Sequence, residues 1–142
     1  MSKVAVIYWS GSGNTAAMAQ AVAEGAKAAG AETELFQVSQ ISASEAAVYD
    51  RLALGCPAMG AEVLEESEFE PFFTELEGSL SGKKVALFGS YGWGDGPWMR
   101  DWADRLAASG AAACGEPLTV NEAPDEDGLA QCRALGAALA GA

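Results

Sequence analysis

Residues 10–15 read Ser10-Gly11-Ser12-Gly13-Asn14-Thr15 and lie between a short apolar run, Val4 to Trp9, and a helix-patterned stretch. Glycines at alternate positions let backbone N–H groups turn inward, the start of the following helix adds partial positive charge, and hydroxyls and an amide supply further donors. That combination is a nest for phosphate. No Gly-Lys-Ser/Thr follows, so the lysine-bearing nucleotide loop is excluded. Gly11-x-Gly13-x-x-Ala16 formally fits the dinucleotide fingerprint, with Glu32 or Glu34 about twenty residues on, where a ribose-binding acid is expected. A hydroxyl-rich loop suits the many acceptor positions of a terminal phosphomonoester better than a bridging diphosphate. Taken alone, the loop is also an ordinary Gly/Ser turn capping a helix.

Two more loops carry unusual side chains: Cys56-Pro57-Ala58-Met59-Gly60-Ala61-Glu62 and Ser90-Tyr91-Gly92-Trp93-Gly94-Asp95-Gly96-Pro97-Trp98. Met59 and Trp93 suit the two sides of a flat ring, offering dispersion on one and offset stacking on the other, while the glycines bring backbone groups to the ring edge. Singly, Met59 is equally a gap-filler and Trp93 an aromatic folded onto its own helix. A phosphate at the first loop and a planar ring between the other two, with a short polyol between, describes one ligand, FMN.

The elements that must hold these loops follow from periodicity. Val4–Tyr8, Leu52–Cys56 and Val85–Phe88 are short, nearly continuous apolar runs suited to strands buried on both faces. Glu32–Val38 and Leu118–Val120, with a possible first half at Ala111–Cys114, are weaker strand candidates. Between them lie helix patterns at Thr15–Ala29, near Ser44–Tyr49, and at Phe69–Leu80, Trp98–Ala108 and Asp125–Leu139. Met18, Val22 and Ala26 share one face of the first, which ends at Gly30. Strict βα alternation predicts an α/β fold, a doubly wound five-stranded parallel sheet with helices on both faces, as one domain over 1–142. Ligands of such sheets sit beyond the carboxyl ends of the strands. A phospho-receiver is excluded, since the first strand ends Tyr8-Trp9 and the third Cys56-Pro57, without acceptor carboxylates.

Composition narrows the function. The 142 residues are 50% hydrophobic, enough for one core and too few for a separate substrate domain. Eight Lys and Arg against 20 Asp and Glu leave a net charge of −12, with no His. That excludes a nucleic-acid or anionic-membrane footprint, favours partners with basic surfaces, and removes His-based catalysis and the commonest transition-metal ligand. Cys56, Cys114 and Cys132 are far apart and form no metal or disulfide pattern. No segment reads as a signal or a membrane span, which predicts a cytoplasmic protein.

Along nearly its whole length the chain resembles the flavodoxins. The Ser10–Thr15 loop resembles their FMN-phosphate signature. Cys56-Pro57-Ala58-Met59-Gly60 and Phe88-Gly89-Ser90-Tyr91-Gly92-Trp93-Gly94-Asp95 resemble the short-chain subtype, in which Met and Trp flank the isoalloxazine; only Gly115-Glu116-Pro117 breaks the last strand. The resemblance implies strand order 2-1-3-4-5, the arrangement for which flavodoxin is itself the standard example of binding at a switch point. It implies a low-potential one-electron carrier, not an enzyme, that uses the semiquinone/hydroquinone couple of non-covalent FMN. Such a protein is a monomer and shuttles electrons between redox enzymes in place of ferredoxin. By the same resemblance the Gly60–Ala61 peptide reorients on reduction, Glu62 accepts from flavin N3–H, and no residue is catalytic or metal-binding. Gly60 permits the positive φ of a type II′ turn, and Ala61 departs from the polar or acidic residue common in relatives. Glu62, Glu65, Glu66 and Asp95 form an acidic rim that lowers the second potential. A small FMN-dependent NAD(P)H:quinone reductase and an FMN- or NAD-binding regulatory module are the alternatives.

Overall fold

A computed structural model describes residues 3–11, 13–59, 63–92 and 96–142. Along these residues run β1 (Lys3–Tyr8), α1 (Asn14–Ala28), β2 (Glu32–Gln37), α2 (Ala43–Ala46), β3 (Arg51–Gly55), α3 (Phe69–Leu76), β4 (Lys84–Tyr91), α4 (Pro97–Ala108), β5 (Ala112–Ala113), β6 (Leu118–Asn121) and α5 (Glu126–Ala140). The sheet is parallel throughout, in the order β2-β1-β3-β4-β5. β6 also pairs with β4, so the fifth position is one interrupted strand: β5 lies beside Lys84 and Val85, and β6 beside Phe88 to Tyr91. Pro117, with no N–H to give the ladder, lies in the break.

The continuous apolar runs are buried on both faces, as their composition requires. Ala5 and Ile7 of β1 point to a layer holding Phe69, Phe73, Trp98 and Trp102, whereas Val4, Val6 and Tyr8 point to one holding Met18, Val22, Cys132 and Leu139. Trp98 and Trp102 are thus core residues. Phe69 and Phe73 meet the Trp102 ring edge-on at 5.3 and 5.8 Å, a favoured aromatic geometry. The opposite layer is built from small side chains and brings two backbones together. A Cβ at Gly25 of α1 would lie 1.9 Å from the Arg133 carbonyl oxygen of α5, and one at Gly136 would lie 1.9 Å from that of Val22.

Three elements differ from the sequence expectation. α3 ends at Leu76 and continues to Ser79 only as a tighter 3₁₀ turn containing Gly78, a residue that weakens α-helix. The short second helix begins earlier, where the Ser42 hydroxyl accepts from the Glu45 N–H and the Glu45 carboxylate from the Ser42 N–H. β4 runs three residues past Phe88, carrying Ser90 and Tyr91 to the carboxyl edge of the sheet.

Candidate cofactor-binding site

The loop after β1 leads into α1 through Gly13, whose φ of +96° is a conformation only glycine adopts cheaply. The Gly13 N–H donates to Ser10 Oγ at 3.1 Å, closing the loop on itself. Among the described residues no side chain caps α1, and no acid occupies its first turn. A helix start of this kind offers positive potential and backbone donors to an anion. Thr15 is buried, and its Oγ1 accepts from the Ser90 N–H at 3.3 Å. Trp9 leaves β1 and its Nε1 donates to Glu68 Oε1 at 3.1 Å, tying this corner to the start of α3.

The loops after β3 and β4 leave the same edge. Cys56 is held on three sides: its N–H donates to the Phe88 carbonyl at 3.2 Å, its own carbonyl accepts from Trp98 Nε1 at 3.1 Å, and its Sγ accepts from the Glu65 N–H at 3.4 Å. Burial pushes its thiol up to about 12, against the smaller opposing effect of the Glu65 N–H. Beyond it, the Ala58 N–H donates to the Ser90 carbonyl at 3.0 Å and the Met59 N–H to the Val63 carbonyl at 3.1 Å. Ser90 is a strut: besides its bond to Thr15, its hydroxyl donates to the Glu122 carbonyl at 2.6 Å. Glu122 has a φ of +58°, a costly conformation for a residue with a Cβ; its N–H donation to the Tyr91 carbonyl at 2.7 Å helps hold it.

These segments enclose a cleft of 470 Å³ lined by Asn14, Pro57, Ala58, Ser90, Tyr91, Gly92, Glu122 and Ala123, within the roughly 300–1,000 Å³ usual for small-molecule sites. A groove of 520 Å³ between α4 and the break in the fifth strand is larger, but of the loops after β1, β3 and β4 it takes only Gly96, from the last. Of the residues singled out from sequence, Asn14, Pro57, Ala58, Ser90, Tyr91 and Gly92 therefore share one cleft. Ser10, Gly11 and Gly13 form the adjoining loop, Thr15 lies beneath it, and Met59 is half-buried. Ser12, Gly60, Ala61, Glu62, Trp93, Gly94 and Asp95 lie outside the described residues.

Two contributions were missed. The turn after β6, with Glu122 and Ala123, lines the cleft; that β6 must end at the same edge as β4 was the available signal. Glu65 does not belong to an exposed rim, unlike Glu66. It is 5% exposed, and its carboxylate accepts from the N–H groups of Ser67, Glu68 and Phe69 at 2.8, 2.7 and 2.9 Å. Burial alone would raise this carboxyl, yet the donors of Phe69, Glu68 and Ser67 hold it below 4.5.

The flavodoxin family model matches residues 6–136. The chain belongs to the flavodoxin family. It is 52% identical over 121 residues to the flavodoxin of Clostridium beijerinckii, covering 85% of this chain and 88% of that one. It is 49% identical over 137 residues to that of Megasphaera elsdenii, covering 96% and 98%. The solution structure of two-electron reduced Megasphaera elsdenii flavodoxin superposes with a TM-score of 0.89 at 48% identity, over 98% of this chain and 99% of that one. Flavodoxins bind FMN, transfer electrons rather than act as enzymes, and work with redox partner enzymes; this chain is a short-chain member. Its residues fit the cofactor: the uncapped start of α1 suits the phosphate, and the cleft between the loops suits a flat ring. No helix among the described residues is long and apolar enough to cross a membrane.

Proposed function

We propose that residues 1–142 form a single FMN-binding domain that acts as a low-potential one-electron carrier, moving electrons between redox enzymes in place of ferredoxin. The observation that supports this is the convergence of the first residue of α1 with the segments after β3 and at the end of β4 on one cleft, adjoining the loop after β1. Non-covalently bound FMN supplies one-electron chemistry; the chain binds, orients and electrostatically tunes it.

The residues divide by ligand part. Ser10, Gly11, Ser12, Gly13, Asn14 and Thr15 hold the phosphate through backbone N–H groups and hydroxyls. Pro57, Ala58, Met59, Gly60, Ala61 and Glu62 cover one side and edge of the ring, and Ser90, Tyr91, Gly92, Trp93 and Gly94 the other. Ala58 and Ser90 act through their backbones, which are bonded to each other. The net charge of −12 disfavours a further negative charge in the cleft and so lowers the potential at which one is accepted. The same charge steers the protein, as a monomer in the cytoplasm, toward basic docking surfaces of its redox partners.

Anaerobic stepwise reduction of the purified yellow protein, followed by absorbance, tests this. A long-wavelength band that rises and then falls is expected. Bleaching in a single two-electron step favours the NAD(P)H:quinone reductase instead, and a colourless protein that takes up no FMN overturns both.

A further inference from the structure

Residues 65–70, Glu65-Glu66-Ser67-Glu68-Phe69-Glu70, have the composition of a solvated turn, yet Glu65 is turned inward. Its carboxylate receives the N–H groups of Ser67, Glu68 and Phe69, and its backbone carbonyl receives that of Glu70 at 2.8 Å. Four consecutive amides at the start of α3 thus end on one residue, whereas Glu68 at the N-cap position offers no side-chain cap. The N–H of Glu65 in turn donates to Cys56 Sγ. The loop between β3 and α3 therefore leaves the sheet at Cys56 and returns at Glu65, and these two residues bond to each other. Inside this neck the Met59 N–H and the Val63 carbonyl form a second rung.

We infer that Glu65 is a positioning residue for the cofactor: by joining the first turn of α3 to Cys56, it sets the position of residues 57–59 beside the cleft, which Pro57 and Ala58 line. A helix cap alone would need only one or two of these bonds, since a single side-chain oxygen commonly serves. Here an anion is buried where the loop re-enters the fold, so removing it loosens both the helix start and the neck. The inference rests on FMN occupying the cleft as proposed above.

The test compares Glu65→Ala and Glu65→Gln with Glu66→Gln, which removes the same charge one residue away at an exposed position. Three quantities are read: the FMN dissociation constant, the separation between the two one-electron potentials of the holoprotein, and amide hydrogen exchange at Met59 with and without FMN. For Glu65→Ala, loss of charge-assisted bonds predicts an FMN dissociation constant raised about tenfold. A changed separation of potentials and faster Met59 exchange are also expected. Glu65→Gln should fall between, because it keeps one acceptor oxygen, and Glu66→Gln should move both potentials together and leave Met59 exchange unchanged. If Glu65→Ala and Glu65→Gln lower only the urea midpoint, with the other readouts matching Glu66→Gln, Glu65 is a helix cap and the inference falls. Should Glu65→Ala fail to fold, Glu65→Gln makes the same comparison. If the unaltered protein binds no FMN, the proposed function fails on its own, and Met59 exchange in the FMN-free variants still decides whether Glu65 anchors the loop.

Discussion

Thr15 and Ser90, 75 positions apart, meet beneath the cleft, the Ser90 N–H donating to Thr15 Oγ1. The bond joins the first turn of α1 to the last part of β4, so the loop suited to phosphate and the strand leading to the loop proposed to cover the ring share one buried fixed point.

Thr15→Val keeps the shape and removes the acceptor, leaving the buried Ser90 N–H unpaired. A loss of about 1–3 kcal/mol in stability follows, with weaker FMN binding, whereas Thr15→Ser preserves both. Urea denaturation of the FMN-free protein and a flavin-fluorescence titration check this.

The same substitution should have opposite effects at two glycines. Gly136→Ala places a Cβ 1.9 Å from the Val22 carbonyl oxygen, while a Cβ at Gly78 meets nothing within 4 Å. The first forces α1 and α5 apart, an overpacking of about 1–3 kcal/mol. The second restricts the unfolded chain and adds about 0.4–1 kcal/mol. Urea midpoints of the two variants should move in opposite directions.

Acid should destabilise the protein through specific carboxylates. Glu65, held low by N–H donors that outweigh its burial, and Glu70, held low chiefly by the Arg105 guanidinium, have folded pKa values below the ordinary 4.5. Their contribution is therefore full above the unfolded value and disappears as the pH falls through the folded one. With no His, and with burial raising all three thiols, no side chain of ordinary pKa titrates between about pH 5 and 8. Unfolding free energy should be flat across that interval and fall below it, with a shallower acid limb in Glu65→Gln.

Thiol chemistry should separate the cysteines. Cys56 and Cys132 are buried, with thiols pushed by burial to about 12 and about 11, while Cys114 is half-exposed. A thiol reagent at pH 8 should label Cys114 alone in the native protein and the other two only on unfolding, as peptide mass spectrometry would record.

β1, β3 and β4 were legible because burial on both faces demands unbroken apolar runs, and the placing of residues 10–13 between β1 and α1 because glycine and serine end the apolar run before a helix-patterned stretch. The last strand was only half legible, since Ala112–Ala113 and Leu118–Asn121 are too short for a period to declare itself. Glu65 was illegible for a different reason. Six residues with four acids look solvated at every position, and only the placement of Cys56 and of the first turn of α3 selects the one that turns inward. The turn at Glu122 was hidden likewise, its role being set by backbone bonds to β4.

The close crossing of α1 and α5 also has a consequence in time. During synthesis α1 is complete by residue 28, but its partner comprises residues 126–140. Until residues 126–140 have left the ribosome, the surface around Gly25 lacks its complement. The nascent domain can assemble β1 to β4 and the aromatic layer, yet it must wait for α5 to close the other side.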